Sequence, residues 1–222
     1  MEQILEREER YKKVYTLAIA AYFVTCATLL VYWITVGSLY QAAHSVGAML
    51  LPIAYQVVYK LLRLHRTYEL DLMILAFTFL AYAMGVAARW YHLIPSYDKV
   101  MHTLSGTFTM LLALPAFYLL KGKHTVCKDD CALAIAFCLA ATLAVAGIWE
   151  IAEYFLHMLT GIDVQNVAAT GINDSMQDMI VCVLGSLLAL PSMIMYYRKG
   201  KAGLFMGSAI SFTINNGGAI AP

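Results

Sequence analysis

The chain has 222 residues, 61% of them hydrophobic and 13% charged, with a formal net charge of +1. A soluble domain carries roughly 25% charged residues, so this composition calls for helices facing lipid, and the length allows one membrane domain and little more. Near-neutral charge removes the electrostatic basis for nucleic-acid binding, and Cys26, Cys127, Cys131, Cys138 and Cys182 form no CxxC pair.

Residues 1–13 (MEQILEREERYKK) form a charged lead-in, read either as a solvated anchor or as a short amphipathic helix with Glu6–Arg10 and Glu8–Lys12 pairs. Six apolar runs follow, at 14–36, 40–62, 70–93, 98–120, 131–159 and 174–197. Each approaches the ~20 residues a helix needs to cross the hydrocarbon core. Lipid admits only helices or closed barrels, and continuous apolar runs without strand alternation select helices. The first run is too long for a signal-peptide core and lacks a clear small-residue cleavage site. Cys127 and Cys131, four apart between the fourth and fifth runs, do not complete a zinc site by themselves. The tail from Ala202 is moderately apolar but short and glycine-rich, and is expected in the membrane interface or without order.

Lys and Arg set the orientation. Thirteen of the fifteen fall before the first run, in the second–third and fourth–fifth connections, or after the sixth run; only Arg89 and Lys99 fall on the opposite side. The expected fold is all-α: a polytopic membrane helix bundle of six transmembrane helices, N-in/C-in. Its parts are a cytoplasmic segment 1–13, a membrane domain 14–197, and a cytoplasmic or interfacial tail 198–222.

In this topology six acids gather near the outer face: Asp98, Glu150, Glu153, Asp163, Asp174 and Asp178. Asp98 precedes His102 by four residues, Glu150 precedes Glu153 by three, and Asp174 precedes Asp178 by four, so each pair shares a helical face. Glu150 lies nine residues before Leu159, about 13 Å into its helix at 1.5 Å per residue, and a carboxylate at that depth is expected to face the bundle interior. Asp174, with Gln177 three later, reads equally as a capping box, and Asp98 reads equally as a cap on the fourth helix. His102 alone reads more readily as a hydrogen-bonded core histidine than as a ligand. Glu150 and Glu153 sit mid-helix, where capping does not apply; pairing with Arg89 or Lys99 is their structural alternative. Asp163 reads as a loop acid.

Carboxylates with imidazole on several helices suit a divalent metal of unspecified identity, bound by oxygen and nitrogen. The expected ligand set is Asp98, His102, Glu150, Glu153, Asp174 and Asp178, with Glu150, Glu153 and His102 as catalytic acid–base candidates. His157, four after Glu153, offers a second imidazole, and His44 lies near the outer end of the second helix. The Glu-x-x-His spacing of di-iron bundles, the GxSG context of rhomboid-type proteases and the PSGH pattern of lipid phosphatases are absent. Trp90 and Tyr91 read as interfacial anchors, and Arg89 as an anchor or a lipid-phosphate contact.

Three blocks, YDKVMHTLSG (97–106), WEIAEYF (149–155) and NDSMQDMIVCVLG (173–185), resemble the YjdF-like inner-membrane proteins, a bacterial family of unknown function. The first block is also similar, more briefly, to the Asp-Lys-x-x-His of VanZ-like envelope proteins. The third departs from the D-x-x-x-D with an internal Trp expected of the family. The resemblance implies a multi-pass protein of the bacterial inner membrane with a polar outer-leaflet site and no assigned reaction. Three functions remain open: a metal-dependent hydrolase or transferase acting on a lipid-linked or envelope precursor, a cation- or proton-coupled transporter, and a non-catalytic envelope scaffold. Membrane lipids are partners in each, and no oligomeric state is indicated.

Overall fold

A computed structural model describes residues 2–121 and 125–220. Its helices are α1 (Glu2–Thr35), α2 (Leu39–Leu61), α3 (Tyr68–Ala87), α4 (Trp90–Leu93), α5 (Tyr97–Leu120), α6 (Cys131–Thr160), α7 (Val167–Thr170), α8 (Asn173–Leu187), α9 (Leu190–Lys199) and α10 (Leu204–Asn215). Among the described residues, six segments are long and apolar enough to cross a membrane, α8 and α9 counting together as the sixth. Their apolar side chains point outward rather than inward: Leu17 is 74% exposed and Leu159 is 84% exposed. A water-soluble chain would bury such residues; lipid makes their exposure favourable.

The chain divides into two compact units. The first runs to Tyr97 and includes Ile214–Asn216; the second holds Asp98–Thr213 and the residues from Gly217.

In the first unit α1 packs on α2 and α3. The core is Tyr15, Tyr22, Cys26, Ala48, Leu75 and Ala83. Tyr22 is buried, and its hydroxyl donates to the Ala48 carbonyl at 2.8 Å, removing the penalty of an unpaired phenol. With 34 residues, α1 is roughly 50 Å long, well beyond the ~30 Å hydrocarbon core. The lead-in is therefore continuous with the helix of the first span rather than a separate helix. The expected Glu8–Lys12 pair gives way to other partners: Glu8 accepts the Tyr68 N–H at 3.1 Å, and Lys12 pairs with Glu9 at 3.4 Å.

A polar knot that local spacing does not announce closes one end of this unit. Asp71 is fully buried, and its Oδ2 takes Arg66 Nη2 at 2.6 Å and Gln56 Nε2 at 3.2 Å. The Arg66 guanidinium also lies 4.5 Å from the Tyr68 ring centroid and 5.0 Å from that of Tyr15. The Asn216 side chain accepts from the His65 N–H and donates to the His65 carbonyl, tying the tail to the α2–α3 connection.

The third span ends at Ala87, six residues short of the expected 93. From Phe79 to Ala87 it is wound as a π-helix, and Arg89 then turns left-handed with φ 65°. Tyr91 packs where a side chain on Gly85 would be: a Cβ there would lie 2.4 Å from its ring. His44 Nδ1 and the Tyr82 hydroxyl are 3.0 Å apart within this unit, so His44 has a packing partner there.

In the second unit, α6 packs against α8 and α9. The Tyr118 and Tyr197 hydroxyls hydrogen-bond, joining α5 to α9. The sixth span breaks at Leu188–Ala189, where Pro191 in the first turn of α9 restarts the helix. The tail is ordered, against the expectation of an unordered segment. Its helix α10 is buried continuously from Met206 to Thr213. Small residues (Gly207, Ser208, Ala209, Ser211) allow close packing there, and twelve residues are too few to span the bilayer. Thr125–Val126 (β1) pairs in parallel with Ala219–Ile220 (β2), so the tail also fastens onto the connection before α6.

Candidate functional site

The site is built on a close crossing of α5 and α8. A Cβ on Gly106 would lie 1.8 Å from the Cys182 carbonyl oxygen, and one on Gly185 would lie 1.8 Å from the Thr103 carbonyl oxygen. Glycine lets the two backbones touch. Thr107 Oγ1 donates to the Gly185 carbonyl at 2.6 Å, and Ser105 Oγ lies 3.5 Å from Cys182 Sγ. Residue numbers rise together along both helices, so they run parallel. Seven residues, about two helical turns, separate Lys99 from Gly106 and Asp178 from Gly185. The crossing thus carries Lys99 and Asp178 to the same height on facing surfaces.

Lys99 is the centre of the cluster. Its Nζ lies 2.6 Å from Asp174 Oδ1, 2.7 Å from Asp178 Oδ1 and 3.5 Å from Asp98 Oδ2. Asp178 is buried, with 4% of its side chain exposed, while Asp98 keeps 40%. His102 Nε2 stands 3.5 Å from Asp98 Oδ1 and 3.8 Å from Asp178 Oδ1, so Asp178 faces both the ammonium and the imidazole. Asn166 Nδ2 donates to the other Asp174 oxygen at 2.8 Å.

The two glutamates are held differently. Glu150 is buried, ten residues or about 15 Å before the end of α6. Its Oε2 accepts from Gln165 Nε2 at 3.1 Å, and the same amide nitrogen reaches the Glu150 carbonyl at 3.0 Å and Ser175 Oγ at 3.2 Å. Glu150 Oε1 is buried with no hydrogen-bond partner among the described residues. Glu153 Oε1 accepts from Trp149 Nε1 at 2.9 Å and lies within electrostatic range of Glu150, His102 and Asp98.

The structure therefore brings together Asp98, His102, Asp174 and Asp178, with Glu153 within electrostatic range of His102 and Asp98 and Glu150 reaching Ser175 of α8 through Gln165. The capping alternatives give way to these contacts. α8 begins at Asn173 without a side-chain cap, and the Asp174 carboxylate goes to Lys99 and Asn166. The Asp98 carboxylate likewise turns to Lys99 and His102. Lys99, considered as a partner for the glutamates, pairs with aspartates instead. His157 is directed to the following loop, with Nδ1 3.6 Å from Asp163 Oδ1. Asp163 is a loop acid that fixes the start of α7 by accepting the N–H groups of Ala168 and Val167, both at 2.9 Å. Those bonds, Ala168's first, and the neighbouring His157 hold its carboxyl below the usual carboxylate range.

Two members escape sequence reasoning. Gln165 and Asn166 lie in the α6–α7 loop, where no periodicity points them at a helix. The only local signal is that Asn166 takes a left-handed φ of 51°, a conformation asparagine tolerates better than most residues.

Asp98, His102 and Asp178 each offer one donor atom, and the three atoms lie within 4.8 Å of one another. Oxygen ligands bind Mg²⁺ or Ca²⁺ at about 2.0–2.6 Å, so small side-chain adjustments would seat one such ion among all three. A bound divalent cation can polarise a carbonyl or phosphoryl oxygen or activate water.

Residues 17–199 match a family model described as "Predicted membrane protein (DUF2238)", which fits the resemblance to YjdF-like proteins carried by the three sequence blocks. No curated protein and no solved structure matches the chain.

Proposed function

Because the chain belongs to the DUF2238 family of membrane proteins, whose description names no reaction, we propose a function from the site itself: a membrane hydrolase or transferase that uses a divalent cation. Its substrate is a lipid or a lipid-linked envelope precursor, met at the outer leaflet of the bacterial inner membrane. The observation that carries this reading is the convergence of Asp98, His102 and Asp178 donor atoms within 4.8 Å of one another. Asp98, His102 and Asp178 hold the cation, Glu153 and Glu150 accept protons from water or a substrate hydroxyl, and Asp174 with Lys99 completes the charge balance. Outer-leaflet placement rests on the excess of Lys and Arg on the opposite side of the spans.

Metal analysis of the purified protein after metal-replete growth tests this directly. Wild type is expected to retain a divalent ion that His102→Ala loses and Glu150→Gln keeps in reduced amount; wild type without metal overturns the reading. Sidedness has its own test. In a cysteine-free background, Ser96→Cys should label from outside and Lys201→Cys from inside, and the reverse pattern moves the site to the cytoplasmic face.

One observation favours a second reading, cation transport: Lys99 already seats a cationic group on Asp174 and Asp178. Against it, the deeper hydroxyls of Thr107, Thr142 and Ser186 are spent on backbone carbonyls, which supplies no polar path inward. Cation or proton flux into liposomes, lost in Glu153→Gln, would establish transport over catalysis.

A further inference from the structure

We infer that Asp174 and Asp178 form an exchangeable cation subsite which the chain fills with its own Lys99 ammonium, and that a divalent cation enters the neighbouring Asp98–His102–Asp178 position by taking Asp178 from Lys99. This rests on the divalent-cation reading above and names what controls occupancy of that site.

The geometry centres on one atom. Asp178 Oδ1 is 2.7 Å from Lys99 Nζ and 3.8 Å from His102 Nε2, so the carboxylate that completes the donor trio is the one that seats the ammonium. A divalent ion bound to that oxygen would stand beside Lys99 Nζ, and two cations close together repel strongly in a partly buried setting. Filling the trio therefore weakens the seat of Lys99. The lysine has somewhere to go: its side chain is 25% exposed, on a flexible four-carbon stem. Asp174 is held from the other side by Asn166, so its carboxylate stays in place when the ammonium leaves.

A second observation points independently to an added cation. Three carboxylates (Asp98, Asp174 and Asp178) contact Lys99 or His102, Glu153 lies within electrostatic range of His102 and Asp98, and Glu150 within that of Glu153. Glu150 keeps a buried Oε1 with no hydrogen-bond partner among the described residues, although its residue is only 8% exposed. A buried carboxylate oxygen left without a donor is costly, and its charge adds through Glu153 to the negative side of the cluster, which an added cation would offset. Lys99 alone leaves that surplus standing.

Mn²⁺ binding to the purified full chain in lipid nanodiscs, read by electron paramagnetic resonance, tests the exchange with wild type, Lys99→Met and Lys99→Arg. Lys99→Met should bind Mn²⁺ at least about tenfold more tightly than wild type, the lower end of what one charge within ~4–6 Å does to a binding equilibrium. Lys99→Arg, which keeps the charge, should show no gain. In wild type, saturating Mn²⁺ should increase acetylation of Lys99 by an amine-reactive reagent, measured by peptide mass spectrometry. That second measurement decides the matter if Lys99→Met does not fold. Mn²⁺ binding by Lys99→Met but not by wild type supports the exchange while overturning the proposed metal-dependent function. Equal Mn²⁺ affinity in folded Lys99→Met and wild type overturns the exchange and leaves the cation site standing, as does Lys99 acetylation unchanged by saturating Mn²⁺. No Mn²⁺ binding by either protein overturns both.

Discussion

Gly185 lies so close to Thr103 that a Cβ on the glycine would stand 1.8 Å from the threonine carbonyl oxygen. Backbone, not a flexible side-chain tip, blocks that position, so a methyl group there forces the two helices apart. Gly185→Ala should destabilise the protein by about 1–3 kcal/mol or more, the usual cost of overpacking a tight contact. It should also separate Lys99 from Asp178, two turns away. Thermal unfolding in detergent reads the first effect and loss of Mn²⁺ binding the second. Gly147→Ala, where an added Cβ would meet only a methionine methyl at 3.9 Å, is the control that should change neither.

Asp178 and Asp174 both bind Lys99 but are not equivalent. Asp178 also faces His102, whereas Asp174 turns its second oxygen to Asn166. Asp178→Asn should abolish measurable divalent-cation binding. Asp174→Asn should weaken it by about tenfold, the lower range for an outer-shell partner. Titrations of the two variants against wild type check the order; equal losses would show that Asp174 is itself a ligand.

The Arg66–Asp71 pair predicts a stability effect remote from this chemistry. Asp71 is fully buried, so Arg66→Met leaves a carboxylate uncompensated and removes a guanidinium stacked near two tyrosines. Because the Arg66 side chain is 35% exposed, the loss should sit near the lower end of the range for breaking a buried pair, about 3 kcal/mol. Asp71→Asn with Arg66→Met should recover part of it. The midpoint of unfolding in a denaturing detergent series measures both.

Asp163 gives the α6–α7 loop a pH dependence of definite sign. Its folded carboxyl is held below the ordinary range by the Ala168 and Val167 N–H groups and by His157. Loop stability is thus fully present above the ordinary carboxylate range and lost as pH falls through the depressed value. Hydrogen exchange at the Val167 and Ala168 amides should accelerate in acid beyond its intrinsic trend. Asp163→Asn should exchange fast at every pH and show no such step.

What could be read in advance follows the range of the interactions. The six spans were legible because lipid demands an uninterrupted apolar run, a property of neighbouring residues. The pairs Asp98–His102 and Asp174–Asp178 were legible because helical periodicity brings residues four apart onto one face. Lys99 was visible as one of two cations on its side of the membrane. Its role was not, because its partners Asp174 and Asp178 are 75 and 79 residues away and only the glycine crossing brings them near. The early end of the third span depends on π-winding and the turn at Arg89, which hydropathy does not register. The order of the tail is not legible because glycine and serine lower its hydropathy, although small size is what lets α10 be buried.

The buried tail sets a timetable for assembly. α10 is made after the last span, yet the residues from Met206 to Thr213 occupy buried positions. Insertion of the helices into the bilayer therefore leaves the second unit unfinished until translation has passed Thr213. Quality control that samples the protein before that point meets a second unit lacking α10. A stop codon just after Lys199 would leave every span in place and still produce a molecule that membrane proteases recognise as incomplete.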